Sequence, residues 1–89
     1  MSKGWTITWG MREWSDDKVD FTGADLADLQ ILTGKGWNSL DPWGGPLELM
    51  SMIAVLETRD SGRDVREVFA ELRDSPADEL MGAIKARET

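Results

Sequence analysis

The stretch "PLELMSMIAVLETRD", residues 46–60, decides the fold because it predicts a helix, over about residues 46–59, that is apolar on nearly all sides. Pro46 suits the first helical position, where its fixed φ is helical and its missing N–H leaves no bond unmade. Gly62 follows as a stop. Polar residues leave only a thin strip: Glu48, Ser51 and Thr58. Such a helix lies at the centre of a core or exposes a face for a partner.

A β-hairpin over about residues 5–14 is predicted at the N-terminal side of the chain. "WTITW" (5–9) alternates strictly, so Trp5, Ile7 and Trp9 share one face of a strand. Gly10 suits the first central position of a two-residue type II′ turn, and "REW" (12–14) then returns beside it. Since a lone hairpin is marginal in water, this tryptophan face is expected to rest on the helices.

Three further helices are predicted, over about residues 23–33, 64–73 and 76–86. Thr22 and Asp25 form a variant of the capping box at the first, which Gly34 ends. The last is expected to start with Ser75 as N-cap and to end in the polar, frayed "KARET". Its expected buried side consists of Ala77, Leu80, Met81 and Ile84. The predicted architecture is therefore a single domain, residues 1–89, of the α+β class and mostly helical, with a short N-terminal hairpin followed by a compact bundle of about four helices.

The composition of the chain disfavours several classes of partner and of catalytic site. A net charge of −7 disfavours nucleic acid and anionic membranes as partners. The chain has no histidine, the commonest general base and metal ligand, and no cysteine, which favours a reducing cytoplasm. Asp25 and Asp28 share a helix face and are expected to be a solvated surface, not a catalytic pair. We therefore expect no enzyme, no catalytic residues, no cofactor and no metal site.

A loop over residues 34–45 contains "KGWNSLDPWGG" (35–45), which places two tryptophans among three glycines and one proline. Trp37 and Trp43 either cap a small core or serve as anchors for a partner, because tryptophan is enriched in interface hot spots. The methionines of the following helix suit an adaptable binding surface. The candidate partner-binding residues are Trp37, Leu40, Trp43, Met50, Met52 and Ile53.

Element order, spacing and composition resemble a known family over residues 5–85. The segments that carry the resemblance are a short hairpin, "TGADLADLQILTGKGWNSLDP" (22–42), "GPLELMSMIAVL" (45–56) and "RDSGRDVREVFAELRDSPADELMGAI" (59–84). Together they look like the small tail assembly chaperones of long-tailed phages, especially of actinobacterial hosts. The Leu-x-x-Leu…Thr-Gly segment and the "RD-x-G-R-D" turn are the most specific parts.

The resemblance implies a non-enzymatic role. Proteins of this family bind the long tape-measure protein, help to recruit tail-tube subunits in the host cytoplasm, and are absent from the mature virion. Many are also made as a longer, frameshifted form. Self-association into a homo-oligomer is a corollary, since coating a long rod takes many copies, and acidic charge would keep those copies soluble.

Two other functions are compatible with the sequence. A small acidic adaptor, such as an antitoxin-like protein or a DNA-mimic inhibitor, would present dense carboxylates on one face. Here the acids are spread and interleaved with arginines. A minor virion structural protein is the other alternative, and it would be retained in purified particles.

Overall fold

The computed structural model describes residues 4–36 and 41–87, which form a small antiparallel sheet and four helices. This arrangement confirms the predicted α+β, mostly helical class. In chain order the elements are β1 (Trp5–Trp9), β2 (Arg12–Ser15), α1 (Gly23–Thr33), α2 (Pro46–Ser61), α3 (Val65–Arg73), α4 (Ala77–Ala83) and β3 (Ile84–Ala86).

The hairpin of β1 and β2 has the predicted two-residue turn, with Trp9 opposite Arg12 and Ile7 opposite Trp14. Gly10 has a φ of 61°, and Met11 does not share this positive value, as a type II′ turn requires. The side chains of Trp5, Ile7 and Trp14 are buried against the helices, whereas Trp9 is half-buried. The hairpin therefore contributes one face to the common core, as its alternating pattern predicts.

The predicted helix over residues 76–86 is wrong beyond Ala83. There the chain turns into β3, which pairs with β1 so that Ile7 lies opposite Ile84 and Trp5 opposite Ala86. The sheet thus has three strands in the order β2-β1-β3. The expected frayed tail instead satisfies the backbone groups on the second edge of β1, which a two-stranded hairpin would leave open. The start also differs, because Pro76 and not Ser75 is the N-cap.

Local signals account for both ends of α1. Thr22 accepts a hydrogen bond from the Asp25 amide, and the Asp25 carboxylate accepts one from the Thr22 amide, which confirms the capping box. At the other end Gly34 is left-handed, with a φ of 73°. The expected solvated surface is wrong at Asp25, which is buried; its carboxylate caps α1 and also lies 3.4 Å from Arg59 Nε of α2.

α2 is the centre of the core, and the other helices contact it. Its buried apolar residues are Leu49, Met52, Ile53, Ala54, Val55 and Leu56. The buried Ser51 hydroxyl is satisfied because it donates to the Leu47 carbonyl at 2.7 Å. The sheet is joined to this helix by the Trp14 indole, whose Nε1–H donates to Asp60 Oδ2 at 2.8 Å. Of the two predicted roles of this segment, the structure shows the central one.

Candidate protein-contact surface

The six candidate partner-binding residues do not all lie on the surface of the structure. Met52 and Ile53 belong to the core, with 6% and 0% of their surface exposed. Their side chains cannot reach a partner on the folded surface, so the expected contact surface is wrong at these two positions. Met50 and Trp43 are half-buried and pack against the core. Trp37 and Leu40 lie outside the described residues.

A tight turn fixes the position of Trp43. The Gly44 amide donates to the Asp41 carbonyl at 2.8 Å, and the Trp43 amide donates to Asp41 Oδ1 at 3.0 Å. Aspartate is favoured at the first position of such a turn because its side chain accepts this bond. Pro42 is buried beside it. The indole of Trp43 therefore packs against the core from a turn whose backbone is held by hydrogen bonds.

Trp43 also lines a small cleft, which we call the Trp43 cleft. The cleft encloses about 150 Å³, and none of the described residues that line it is charged: Pro42, Trp43, Gly45, Pro46, Leu49, Met81 and Ile84. One wall comes from the turn and the start of α2, and the other from α4 and β3. The two roles predicted for Trp43 are thus compatible, since one part of the indole can cover the core while another faces the cleft.

Exposed apolar side chains accompany the Trp43 cleft. Met81 has 65% of its surface exposed, and Leu47, next to Pro46 in the chain, has 39% exposed. Side chains of this size gain free energy when a partner removes them from water, at about 25 cal/mol for each Å² of apolar area. The cleft and these two side chains therefore form the apolar surface that best fits contact with another protein.

An ion pair holds the beginning of α2, which forms one wall of the Trp43 cleft. Lys35 Nζ, just after α1, donates to Glu48 Oε1 in the first turn of α2. The Glu48 carboxylate lies over the glycine pair before the helix, and a Cβ at Gly45 would be only 3.1 Å from Glu48 Oε2. Hydrogen bonding to Lys35 and to its own backbone amide lowers the pKa of Glu48. The pair joins the two ends of the tryptophan-containing loop.

Met81 is the residue of this surface that sequence reasoning placed on the wrong side. The sequence predicts Met81 among the buried residues of the last helix, but Leu80 and Ala83 are the buried ones. α4 ends at Ala83 and has only seven residues. Leu80 and Ala83, at positions i and i+3, lie on one face of this short helix and are sufficient to pack it against the core. The apolar stripe of a longer helix would have included Met81. The late start at Ala77 and the strand at Ile84 were not evident from the residues.

No group of three or more acidic side chains within residues 4–36 and 41–87 could hold a metal ion. None of the helices described there combines the length and the apolar character needed to cross a bilayer. Several acids are instead paired with arginines: Glu57 with Arg12, Glu71 with Arg63, and Asp16 with Arg87.

Comparisons with protein-family models, with curated proteins and with solved structures find no match to this chain.

Proposed function

We propose that this protein is a non-enzymatic tail assembly chaperone of a long-tailed phage. It would bind the tape-measure protein, help to recruit tail-tube subunits in the host cytoplasm, and be absent from the mature virion. The sequence resemblance over residues 5–85 supports the family. The structural observation that supports a protein-binding role is the Trp43 cleft, with Met81 exposed beside it.

The size of this surface suits reversible binding. A cleft of about 150 Å³ admits one apolar side chain of a partner and not a whole helix. Contacts below about 1,200 Å² of total buried area are usually weak and transient. A chaperone that must leave before the tail is complete needs this property.

The charge of the chain suits the same role. With a net charge of −7, neighbouring copies on one partner repel each other and keep the complex in solution. Many of the acids that the structure describes are paired with arginine or lysine, so they do not form the dense carboxylate face that a DNA mimic presents. This pairing favours the chaperone over the inhibitor.

Co-expression with a tape-measure protein from the same genome tests the proposal. We expect the soluble fraction of the tape-measure protein to rise with the wild-type chain and to fall again with Met81→Asp. Ile31→Asp is a matched control, since Ile31 on α1 is 66% exposed and lies away from the Trp43 cleft. No rise with the wild-type chain contradicts chaperone function, and equal loss with both variants contradicts the assigned surface.

Purified phage particles separate the proposal from the minor structural protein. Mass spectrometry of particles is expected to find the tail-tube and tape-measure proteins without this chain. Recovery of the chain in amounts comparable to a stoichiometric tail component would contradict the chaperone and support the structural role.

A further inference from the structure

A second groove lies beside α4, and we call it the Trp9 groove. It encloses about 630 Å³ between the end of the hairpin and α4, lined by Thr8, Trp9, Gly10, Asp78, Glu79, Gly82, Ala83 and Lys85. Met81 does not line it, since successive helical residues are turned by about 100° and this side chain faces the Trp43 cleft instead. The two surfaces are therefore separate.

The shape of the Trp9 groove comes from small residues opposite an aromatic wall. A Cβ added at Gly82 or at Gly10 would meet no other atom within 4 Å, so the space above both glycines is open. Trp9 is half-buried and is the aromatic residue among the described residues that line the groove. An open slot beside an indole face accommodates a long, flat side chain that stacks on the ring.

The charged residues that line the Trp9 groove indicate which kind of partner side chain it would bind. Asp78 and Glu79 are exposed, and neither has an ion-pair partner within residues 4–36 and 41–87, where Lys85 is the only cation in the lining. On the other side of Trp9, the neighbouring groove has its acids neutralised, Glu57 by Arg12 and Glu71 by Arg63. Among the described residues, the Trp9 groove therefore keeps two carboxylates without an ion-pair partner, whereas both acids of the groove on the other side of Trp9 are paired.

We propose that the Trp9 groove binds an arginine side chain of a basic protein segment. The planar guanidinium would stack on the Trp9 indole, where a cation over the ring face is attracted by the ring quadrupole. Its N–H groups would reach Asp78 and Glu79, which present carboxylates that guanidinium donors match better than an ammonium does. The net charge of −7 would steer such a segment toward the protein. This site does not depend on the proposed tail-assembly function.

Titration with synthetic peptides tests the arginine site. The probe is a short alanine-based peptide with two arginines, compared with peptides in which lysine or neutral citrulline replaces them. The readout is the ¹⁵N-resolved Trp9 indole signal together with the Gly10 and Gly82 amides. We expect the arginine peptide to shift these signals, the lysine peptide to bind more weakly, and the citrulline peptide to leave them unchanged. Binding of citrulline, or of lysine as tightly as arginine, would overturn the proposal.

Three variants assign the binding to the groove. Asp78→Asn with Glu79→Gln is expected to weaken binding about tenfold, the effect of losing a charge-assisted hydrogen bond. Gly82→Leu should block the slot while the fold is kept, since its Cβ enters open space and leucine favours helix more than glycine does. Asp20→Asn with Asp74→Asn is the control, because it removes the same two charges outside the groove. Equal weakening by this control, or full binding by Gly82→Leu, would refute the site.

Discussion

Arg87 Nε lies 2.5 Å from Asp16 Oδ1, although the two residues are 71 positions apart in the chain. Asp16 also accepts a hydrogen bond from the Trp5 amide at 3.3 Å, and the Arg87 amide donates to the Gly4 carbonyl at 3.1 Å. The pair therefore ties the segment after β3 to the turn after β2, with the start of β1 between them.

Replacing this arginine tests whether the pair holds β3 in the sheet. We expect Arg87→Ala to lower the melting temperature and to speed hydrogen exchange of the amide at position 87, because β3 has only three residues and its end is fixed by this contact. Arg73→Ala is the control, since Arg73 is exposed and forms no ion pair within the described residues. Unchanged exchange at position 87 would show that the backbone pairing alone holds the strand.

Acid is expected to weaken the fold through Glu48. Its ordinary pKa of 4.5 is lowered in the folded protein, chiefly by Lys35, so the unfolded chain takes up a proton at a higher pH than the folded one. The stabilisation is therefore complete above pH 4.5 and is lost as the pH falls through the lower, folded-state pKa. Urea unfolding measured between pH 7 and pH 3 should show this loss.

Replacing Lys35 should make the free energy of unfolding less dependent on pH in the acid range. In Lys35→Met the pKa of Glu48 returns toward its ordinary value, so stability is expected to be lower at neutral pH and to depend less on pH in the acid range. Lys18→Met, which removes an exposed lysine without an ion pair in the described residues, should leave the pH profile unchanged. Parallel profiles for wild type and Lys35→Met would contradict the role of the pair.

Truncation of Ile53 should identify it as a core residue by its effect on stability. Ile53→Ala leaves a cavity at a fully buried position of α2, so we expect a loss of about 2–5 kcal/mol in the free energy of unfolding. The exposed Ile31→Ala should change it by less than about 0.5 kcal/mol. Urea denaturation measures both. A small effect at Ile53 would mean that this side chain is not enclosed as the structure has it.

The hydrogen bond from the Trp14 indole to Asp60 should contribute measurably to docking of the hairpin on α2. A double-mutant cycle with Trp14→Phe and Asp60→Ala, each of which removes one partner of the bond, isolates it from the other effects of each change. We expect a coupling free energy of about 0.5–1.5 kcal/mol, since the indole is buried but the carboxylate is partly in water. Strictly additive effects of the two changes would show that the bond adds nothing to stability.

Sequence reasoning succeeded where the determining signals are local. The start of α1 follows from Thr22 and Asp25, whose reciprocal bonds join residues only three positions apart, and its end follows from the left-handed Gly34. The hairpin is likewise local, because Gly10 determines the turn and the alternation of Trp5 to Trp9 determines the face. Each of these features is decided by residues that are neighbours in the chain.

Prediction from the sequence failed where contacts between residues far apart in the chain determine the structure. Three residues, Ile84–Ala86, are too few to show a strand period, and their conformation depends on the open edge of β1 far away in sequence. A helix as uniformly apolar as α2 shows no preferred face, so only the packing reveals that Ile53 is enclosed. Met81 was misplaced for a related reason, since the short length of α4 determines which of its side chains dock.

Because β1 is the central strand of the sheet, its two edges are completed at very different times during synthesis. β2 emerges from the ribosome directly after β1, but β3 follows only when all four helices have been made. Until then the nascent chain presents an unpaired strand edge, which is a template for intermolecular pairing. The chain is therefore expected to be most vulnerable to aggregation in the interval before residues 84–86 pair with β1.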